Sequence, residues 1–222
     1  MKMKKMEASD FDSLVPFFDA MAQTSWLSDI HHKLMRFTGA WTGKDVIDIG
    51  CGTGRLLARG VEDAKTVTGV DLSKEMVDAS LSLLVAKGAK DKSSSMVADA
   101  YKLPFSDNSF DISLSTCVMF LLPEPEKGIK EMIRVTRPNG VIGMLNPSKN
   151  MNPTEARRFA EKHNITGFEQ TALVRWSNVS TARHRYAEEE LTSLLEQLGT
   201  KSIKHQQVLD GLAVITVAEI VF

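Results

Sequence analysis

One stretch constrains this chain more than any other: residues 46–56, which read VIDIGCGTGRL. A short apolar run that ends in glycines and then takes on helical spacing is typical of a buried strand that turns into a helix beside a nucleotide. Glycine has no Cβ, so the backbone can turn tightly and a ligand can lie against it. The unpaired N–H groups of the following helix point at the same ligand. The stretch therefore predicts a nucleotide-type site at the end of a buried strand.

The glycine spacing distinguishes two kinds of cofactor loop. The dinucleotide fingerprint G-x-G-x-x-G has a third glycine for close packing of helix on strand. That position is Arg55 here, and the glycine falls one residue earlier, at Gly54. An acid, Asp48, lies two residues before Gly50. A plain strand–helix turn could use the same glycines, so the loop alone does not decide the function.

Composition narrows the class of protein and of partner. With 222 residues, of which 43% are hydrophobic and 25% charged, the chain fits one soluble globular domain. A formal net charge of −1 argues against nucleic acid as the main partner, because such binders concentrate Lys and Arg. The two cysteines lack metal-ligand spacing, so we expect no metal. No apolar run reaches the ~20 residues of a membrane helix, and the N-terminus lacks a signal-peptide core. We therefore expect a cytoplasmic protein with no membrane partner.

Two further acids follow apolar runs beyond the glycine loop. Asp71 ends the run at 65–71, and an acid about 20 residues after the first glycine is placed to accept the ribose hydroxyls of a nucleotide. Asp99 follows the run at 96–98, where its carboxylate could accept a hydrogen bond from an adenine amine. Ligands of open α/β sheets bind at the carboxyl ends of the strands. We therefore expect Asp48, Asp71 and Asp99 to meet at one edge of a sheet.

Strand and helix patterns alternate along the rest of the chain. Ser73 is expected to cap a helix, and Asp210-Gly211 is expected to form a two-residue hairpin turn. Residues 137–140 are predicted to form another turn. The further predicted strands are 110–115, 141–145, 201–209 and 212–221. The predicted helices are one after Ser73 that buries Val77, Leu81, Leu84 and Val85, one from Pro125, and one around 191–198.

Together these motifs resemble those of the class I S-adenosylmethionine-dependent methyltransferases. The pattern D-x-G-x-G-x-G at 48–54 resembles motif I, and residues 67–73 resemble motif II. Asp99-Ala100 is similar to the adenine-contact motif, and 110–115 to the motif IV strand. Residues 131–140 (EMIRVTRPNG) resemble the family's E-x-x-R-V-L-[KR]-P-G-G stretch. Within the family, the chain resembles the small-molecule enzymes that include the ubiquinone and menaquinone biosynthesis methyltransferases.

The resemblance implies a Rossmann-like α/β fold with a seven-stranded mixed sheet, in the order 3-2-1-4-5-7-6, with strand 7 antiparallel and helices on both faces. It implies S-adenosylmethionine as cofactor, S-adenosylhomocysteine as product, and in-line methyl transfer to a small-molecule acceptor. It also implies that Asp48 and Gly50 border the aminoacid part of the cofactor, that Asp71 holds the ribose, and that Asp99 with Ala100 reads the adenine. The expected cofactor-binding residues are Asp48, Gly50, Cys51, Gly52, Thr53, Gly54, Asp71, Leu72, Met76, Asp99, Ala100 and Ser115.

Two segments lie outside the cofactor motifs of the predicted single domain 1–222. Residues 11–22 and 26–38 have helical spacing, and we expect residues 1–40 to form a helical lid over the cofactor end. Pro16 requires the first helix to begin just before it, with Asp12 or Ser13 as cap. Residues 146–185 contain a helix near 153–164 and then a stretch rich in Ser, Thr and Arg. We expect an insertion there that helps to form the acceptor pocket.

Several positions depart from the family pattern. Phe120 and Leu121 stand where many relatives carry histidines, so that loop supplies no histidine base. Asn139 replaces a glycine of the Pro-Gly-Gly turn, which Asn tolerates because it can adopt a positive φ. The chain lacks an Asn/Asp-Pro-Pro-aromatic motif, and Cys117 does not follow a proline, so amino or cytosine-carbon methylation of nucleic acids is disfavoured.

No catalytic residue is assigned from the sequence. The candidates by position are His31, His32 and His184, and the insertion offers Trp176, Arg175, Arg183 and Arg185 for contact with an acceptor. Two other functions stay open. An NAD(P)-dependent oxidoreductase would use the same strand–helix turn but predicts glycine at position 55. A non-catalytic S-adenosylmethionine-binding protein would keep the loop and the acids but lack a closed acceptor pocket. The sequence indicates neither the acceptor nor the oligomeric state.

Overall fold

A single sheet organises the computed structural model, which describes residues 3–221. Its strands are β1 Asp45–Ile49, β2 Thr66–Asp71, β3 Ser93–Val97, β4 Phe110–Thr116, β5 Thr136–Pro147, β6 Thr200–Val208 and β7 Ala213–Ile220. The order is β3-β2-β1-β4-β5-β7-β6. Pairing is parallel from β3 to β5, whereas β7 is antiparallel to both β5 and β6. The predicted fold class, sheet order and antiparallel strand are therefore confirmed.

Helices cover both faces of the sheet. They are α1 Ser9–Asp12, α2 Val15–Met21, α3 Ser25–Phe37, α4 Arg55–Gly60, α5 Lys74–Ala86, α6 Pro125–Val135, α7 Pro153–Lys162, α8 Gly167–Thr181 and α9 Glu188–Gln197. Leu34 of α3 and Leu57 of α4 belong to one hydrophobic core. Met132 of α6 and Leu195 of α9 belong to a second. Strand β1 is buried along its whole length, and it sends Val46 to the first core and Ile47 to the second.

Side-chain caps fix where two of the helices begin. The Ser73 hydroxyl accepts the N–H of Met76 at the start of α5, as the sequence predicts. The Thr24 hydroxyl accepts the N–H of Leu27 at the start of α3. Each cap satisfies one of the unpaired N–H groups of a first helical turn. Both helices therefore begin at fixed points close to the carboxyl edge of the sheet.

The helical spacing at 11–22 corresponds to two short helices, α1 and α2, and α2 begins at Val15, just before Pro16, as expected. Pro16 lies in the first turn of α2, the position where a missing N–H costs nothing. The expected cap at Asp12 or Ser13 is wrong, because Leu14 occupies the N-cap and no side chain bonds to the helix end there. Helix α3 agrees with the prediction to within a residue at each end.

The predicted buried stripe of α5 is wrong at two positions. Leu81 and Val85 are 39% and 43% exposed. The helix instead buries Met76, Ser80 and Leu84, with Val77. Ser80 packs against Gly54, where an added Cβ would lie 2.4 Å from the Ser80 hydroxyl. With the small Ser80 side chain against Gly54, residues 76, 80 and 84 of α5 face the interior. Leu81 and Val85 then lie on the solvent side of the helix.

Two predicted turns differ in the structure. The pair Val208–Ala213 is the last of the β6–β7 ladder, so the connection is Leu209–Leu212 rather than Asp210-Gly211 alone. The Ser148 hydroxyl donates to the Gly211 carbonyl at 2.6 Å and holds this longer loop. The turn predicted at 137–140 is an irregularity inside β5, where the β4–β5 register shifts and Asn139 has a φ of +61°.

The stretch at 146–185 is mostly helical. Its Ser/Thr/Arg-rich part includes the 15-residue helix α8, for which no element was predicted. The predicted helix near 153–164 corresponds to α7. None of the helices within residues 3–221 combines the length and the apolar content needed to cross a lipid bilayer.

Candidate cofactor and acceptor site

A cavity opens at the carboxyl ends of β1, β2 and β4. The free space within it and at its mouth is about 1200 Å³, part of which is open solvent. Asp48, Asp71 and Asp99 all line it, together with Gly50 and Gly52 of the glycine loop. The meeting of the three acids at one edge of the sheet is confirmed.

The glycine loop leaves its backbone open to this cavity. Gly52 has a φ of +52°, and a Cβ there would meet no atom within 4 Å. Gly54 has a φ of +78° and forms the N-cap of α4. A ligand can therefore lie along the main chain at Gly52, while Gly54 supplies the left-handed residue from which the helix starts.

Arg55 occupies the place of the third glycine in a dinucleotide loop and joins α4 to α2. Its Nε donates to Oδ1 of Asp19 and its Nη2 to Oδ2, each at 2.9 Å. This bidentate pair lowers the pKa of Asp19 below its ordinary value. Glycine at position 55 could not form this ion pair. Arg55 therefore attaches the N-terminal helices to the glycine loop.

Asp48 is a buried carboxyl group in the wall of the cavity. Within residues 3–221, neither of its oxygens accepts a hydrogen bond. Burial, and then the charge of nearby Asp71, raise its pKa to about 7. An ionised carboxylate that is buried without a partner destabilises the fold unless a ligand supplies a cation or a hydrogen-bond donor. The cavity therefore presents an acceptor of hydrogen bonds that the protein itself does not satisfy.

Asp71 is tied to the glycine loop. Its Oδ2 accepts the N–H of Gly52 at 2.9 Å, and its Oδ1 accepts the N–H of Ser73 at 3.0 Å. Burial raises the pKa of Asp71, and these two N–H groups partly offset that rise. An ionised carboxylate has lone pairs left after two such bonds. Asp71 can therefore order the loop and still accept hydroxyl groups.

Asp99 is shared with the N-terminal segment. The ammonium of Lys5 forms an ion pair with Oδ2 of Asp99, and the Tyr101 N–H donates to Oδ1 at 3.0 Å. Lys5 also lies 4.4 Å from the centre of the Tyr101 ring. Burial acts to raise the pKa of Asp99, but Lys5 and the Tyr101 N–H bring it below its ordinary value. The N-terminal segment thus closes over the end of the cavity at Asp99.

The rest of the cavity wall is mainly apolar and was not predicted residue by residue. Most of it comes from the N-terminal helices and from the segment after β4. These two segments contribute Phe11, Phe18, Met21, Ala22, Leu27, Cys117, Val118, Leu121 and Leu122. The helical spacing of residues 11–22 could indicate that the N-terminal helices bury an apolar face. It cannot indicate whether that face lines a cavity or packs in the core.

The three candidate histidines have different surroundings. His31 lines the cavity and is buried. His32 is exposed on the outer side of α3. His184 lies outside the cavity wall, with its main-chain N–H donating to the Phe120 carbonyl and its ring stacked on Tyr186. Of these three, His31 alone is in a position to touch a molecule in the cavity.

Most of the expected cofactor residues line the cavity, but two do not. Cys51, Thr53, Leu72, Met76 and Ala100 are in its wall. Gly54 instead packs on Ser80 beneath the loop. Ser115 is buried within β4, where its hydroxyl donates to the Ile49 carbonyl at 3.0 Å. Ser115 therefore stabilises the β1–β4 pairing at this edge.

The insertion supports the N-terminal helices from behind instead of lining the cavity. Trp176 is buried and stacks on Trp26, with the ring centres 5.8 Å apart. Arg175 lies over the Phe17 ring at 4.1 Å. Arg183 and Arg185 donate to main-chain carbonyls. No described residue of 146–185 lines this cavity, and the expectation that the segment helps to form the acceptor pocket stays a prediction.

The residues at the polar end of the cavity fit S-adenosylmethionine. The unpartnered carboxyl of Asp48 suits the ammonium of an aminoacid group. Asp71 retains acceptor capacity for ribose hydroxyls, and Asp99 has a carboxylate for an adenine amine. The open space at Gly52 leaves room along the backbone.

Comparisons with known proteins agree with this fit. Residues 47–144 match the family model described as a methyltransferase domain. The chain is 35% identical over 53% of its length to a demethylmenaquinone methyltransferase of Desulfitobacterium hafniense, but spans 47% of that protein. It is 29% identical to the ubiquinone/menaquinone biosynthesis C-methyltransferase UbiE of Hahella chejuensis, over 92% of this chain and 87% of that one.

The fold also matches a solved structure. A SAM-dependent methyltransferase from Aquifex aeolicus superposes with a TM-score of 0.70 at 20% identity, covering 95% of this chain and 98% of that one. The chain spans about half the length of several curated relatives that it matches. Residues 47–144 thus match a methyltransferase domain, and the chain resembles the class I S-adenosylmethionine-dependent methyltransferases of quinone biosynthesis.

Proposed function

We propose that the protein transfers the methyl group of S-adenosylmethionine to a small, largely apolar acceptor with a quinone-type ring. One observation carries the proposal: a single cavity joins the glycine loop and its three acids to a wall of apolar side chains. A polar cofactor and an apolar acceptor would therefore lie side by side in one cavity.

The cofactor, when bound, supplies a methyl group that its sulfonium already activates. The tasks of the chain are to hold, align and enclose the two reactants. Alignment of this kind contributes roughly 7–11 kcal/mol to lowering a barrier. Asp48, Asp71 and Asp99 would hold the polar molecule, while Phe18 and Met21 of α2 and Leu121 after β4 would enclose the apolar one and exclude water.

The charges around the cavity favour a neutral acceptor. Among the described residues of its wall, the cations are Lys5 and Arg55, and each is paired with an aspartate. The arginines of the insertion do not line the cavity. Relatives named for demethylmenaquinone and for ubiquinone/menaquinone biosynthesis act on quinone-type compounds. An aromatic ring with few charges suits the same apolar wall.

The proposal is tested by a transfer experiment with labelled cofactor. The protein is incubated with trideuteromethyl S-adenosylmethionine and a reduced naphthoquinone that carries no methyl group at position 2. Mass spectrometry follows S-adenosylhomocysteine and the ring product. We expect both to form together, with three deuterium atoms in the product. Binding of the cofactor without label transfer to this ring or to a benzoquinol analogue would contradict the proposal.

Two neighbouring phenylalanines provide a matched pair of variants. Phe18 lines the cavity, whereas Phe17 packs against Phe168 and Arg175 outside it. Phe18→Ala should raise the KM for the acceptor roughly 5- to 30-fold through lost apolar contact, with S-adenosylhomocysteine affinity almost unchanged. Phe17→Ala should leave the acceptor KM near the wild-type value. Equal effects of the two substitutions on KM would argue against an acceptor site beside Phe18.

A further inference from the structure

His31 is a buried polar residue in the mainly apolar wall of the cavity. It lies on α3, is 3% exposed, and shares the wall with Leu27, one helical turn earlier. The proposed cofactor contacts of Asp48, Asp71 and Asp99 do not use it. A polar side chain in an apolar wall fixes the orientation of a ligand when its remaining hydrogen-bonding atom is free.

One nitrogen of the His31 ring is held by Arg59 of α4. Nε of Arg59 donates to Nδ1 of His31 at 3.4 Å, and its Nη2 donates to the Ala22 carbonyl at 2.9 Å. A guanidinium has donors and no acceptors, so Nδ1 accepts through its lone pair. In a neutral imidazole the single proton is then on Nε2. Arg59 therefore fixes the tautomer of the ring.

The surroundings keep the ring neutral. Burial, followed by the charge of Arg59 and the neighbouring His32, lowers the pKa of His31 to about 3. The arginine of α4 that lines the cavity, Arg55, is paired with Asp19 of α2. Within residues 3–221, Nε2 of His31 has no hydrogen-bond partner. The ring thus has a proton to donate at Nε2 and, with Nδ1 engaged, no free lone pair.

We propose that His31 binds the acceptor by donating a hydrogen bond from Nε2 to one of its oxygen atoms. The inference rests on the proposed function and deepens it: the site selects rings that carry a carbonyl or hydroxyl oxygen. It also replaces the expectation that His31 is a base, because Nε2 already holds the proton that a base would have to accept. Arg59 is then a positioning residue, which acts on the acceptor through the histidine.

The test measures binding with a pair of probes that differ in oxygen. The probes are 2,3-dimethyl-1,4-naphthoquinone and 2,3-dimethylnaphthalene, titrated into the protein in the presence of S-adenosylhomocysteine. In His31→Leu, the preference for the quinone over the hydrocarbon should fall roughly 3- to 10-fold, the range for one neutral hydrogen bond. His31→Gln keeps a donor and should retain part of the preference. His32→Leu, on the exposed side of the same helix, should change nothing.

The tautomer has its own readout, which depends on neither turnover nor ligand. In a long-range ¹H–¹⁵N correlation spectrum of the wild-type protein, His31 should show a protonated Nε2 and an unprotonated Nδ1 between pH 5 and 8. Three results would each overturn the proposal. They are a proton on Nδ1, an unchanged quinone preference in His31→Leu, and a loss of S-adenosylhomocysteine affinity in His31→Leu as large as its loss of quinone preference. Failure of methyl transfer with intact quinone preference would count against the proposed function alone.

Discussion

At the scale of single residues, three aspartates at one sheet edge have three different environments. Asp48 has no hydrogen-bond partner in the described part of the chain, Asp71 holds two loop N–H groups, and Asp99 is paired with Lys5. Their positions could be predicted because an acid that follows a parallel strand falls at the carboxyl edge of the sheet. The partner of Asp99 could not, because the pairing depends on a contact with Lys5, 94 positions earlier in the chain.

The state of Asp48 gives a prediction about proton linkage. Its folded pKa is about 7 against an ordinary value of 3.8. Between these values the folded state binds more protons than the unfolded state, so this carboxyl lowers the free energy of unfolding as pH rises from 4 to 7. Asp48→Asn should therefore gain stability relative to wild type over that range, by about 1–4 kcal/mol. Denaturant titrations at several pH values measure the difference.

The same carboxyl should lose its proton when the ammonium group of a ligand binds beside it. Near pH 6, S-adenosylhomocysteine binding should release up to about one proton, and almost none at pH 8.5. Calorimetry in buffers of different ionisation enthalpy measures the release. Asp48→Asn should show none of it. Equal proton release by wild type and variant would assign the linkage to another group.

Asp71 should be the stronger determinant of cofactor affinity. Asp71→Ala removes an acceptor for ribose hydroxyls and releases the N–H of Gly52. We expect a loss of about 1.5–3 kcal/mol in S-adenosylhomocysteine binding, as for hydrogen bonds to a charged group. Asp78→Ala, an exposed acid on α5 paired with Lys74, is the control and should bind normally. An unchanged S-adenosylhomocysteine affinity in Asp71→Ala would show that Asp71 does not bind the cofactor.

At the scale of elements, the regular strands were predictable and the helical segments outside the cofactor motifs less so. Strand β1 and the helix cap at Ser73 follow from local chemistry. Helix α8 was missed because it buries residues of mixed polarity, such as Ala172, Leu173 and Ser177, while Phe168 at its start packs on Phe17. Contacts on several sides leave no single apolar stripe for the sequence to reveal.

Helix α8 should contribute to stability and not to acceptor choice. Trp176 stacks on Trp26 of α3 behind the cavity wall. Trp176→Ala should lower the free energy of unfolding by about 3–5 kcal/mol, and the folded protein should keep its acceptor KM. Phe168→Ala, at an exposed ring of the same helix, should cost far less. A raised acceptor KM with an unchanged free energy of unfolding in Trp176→Ala would instead indicate that Trp176 contacts the acceptor.

At the scale of the whole molecule, topology places the site. Alternating strands and helices, with β1 paired in parallel to β2 and β4, bring the carboxyl ends of these three strands together, which the sequence pattern could indicate. The apolar wall depends on how α1 to α3 fold back over that edge, which local patterns do not determine. Arg55 separates this loop from a dinucleotide loop, because its pairing with Asp19 uses the position that a third glycine would fill.

The most direct test of this account is calorimetric titration of the wild-type protein with S-adenosylhomocysteine and, separately, with NAD. The unpartnered Asp48, the loop-bound Asp71 and the open backbone at Gly52 predict one-to-one binding of S-adenosylhomocysteine. With NAD, the account predicts no measurable heat of binding. Binding of NAD with equal or greater affinity would contradict the assignment of the cavity to S-adenosylmethionine.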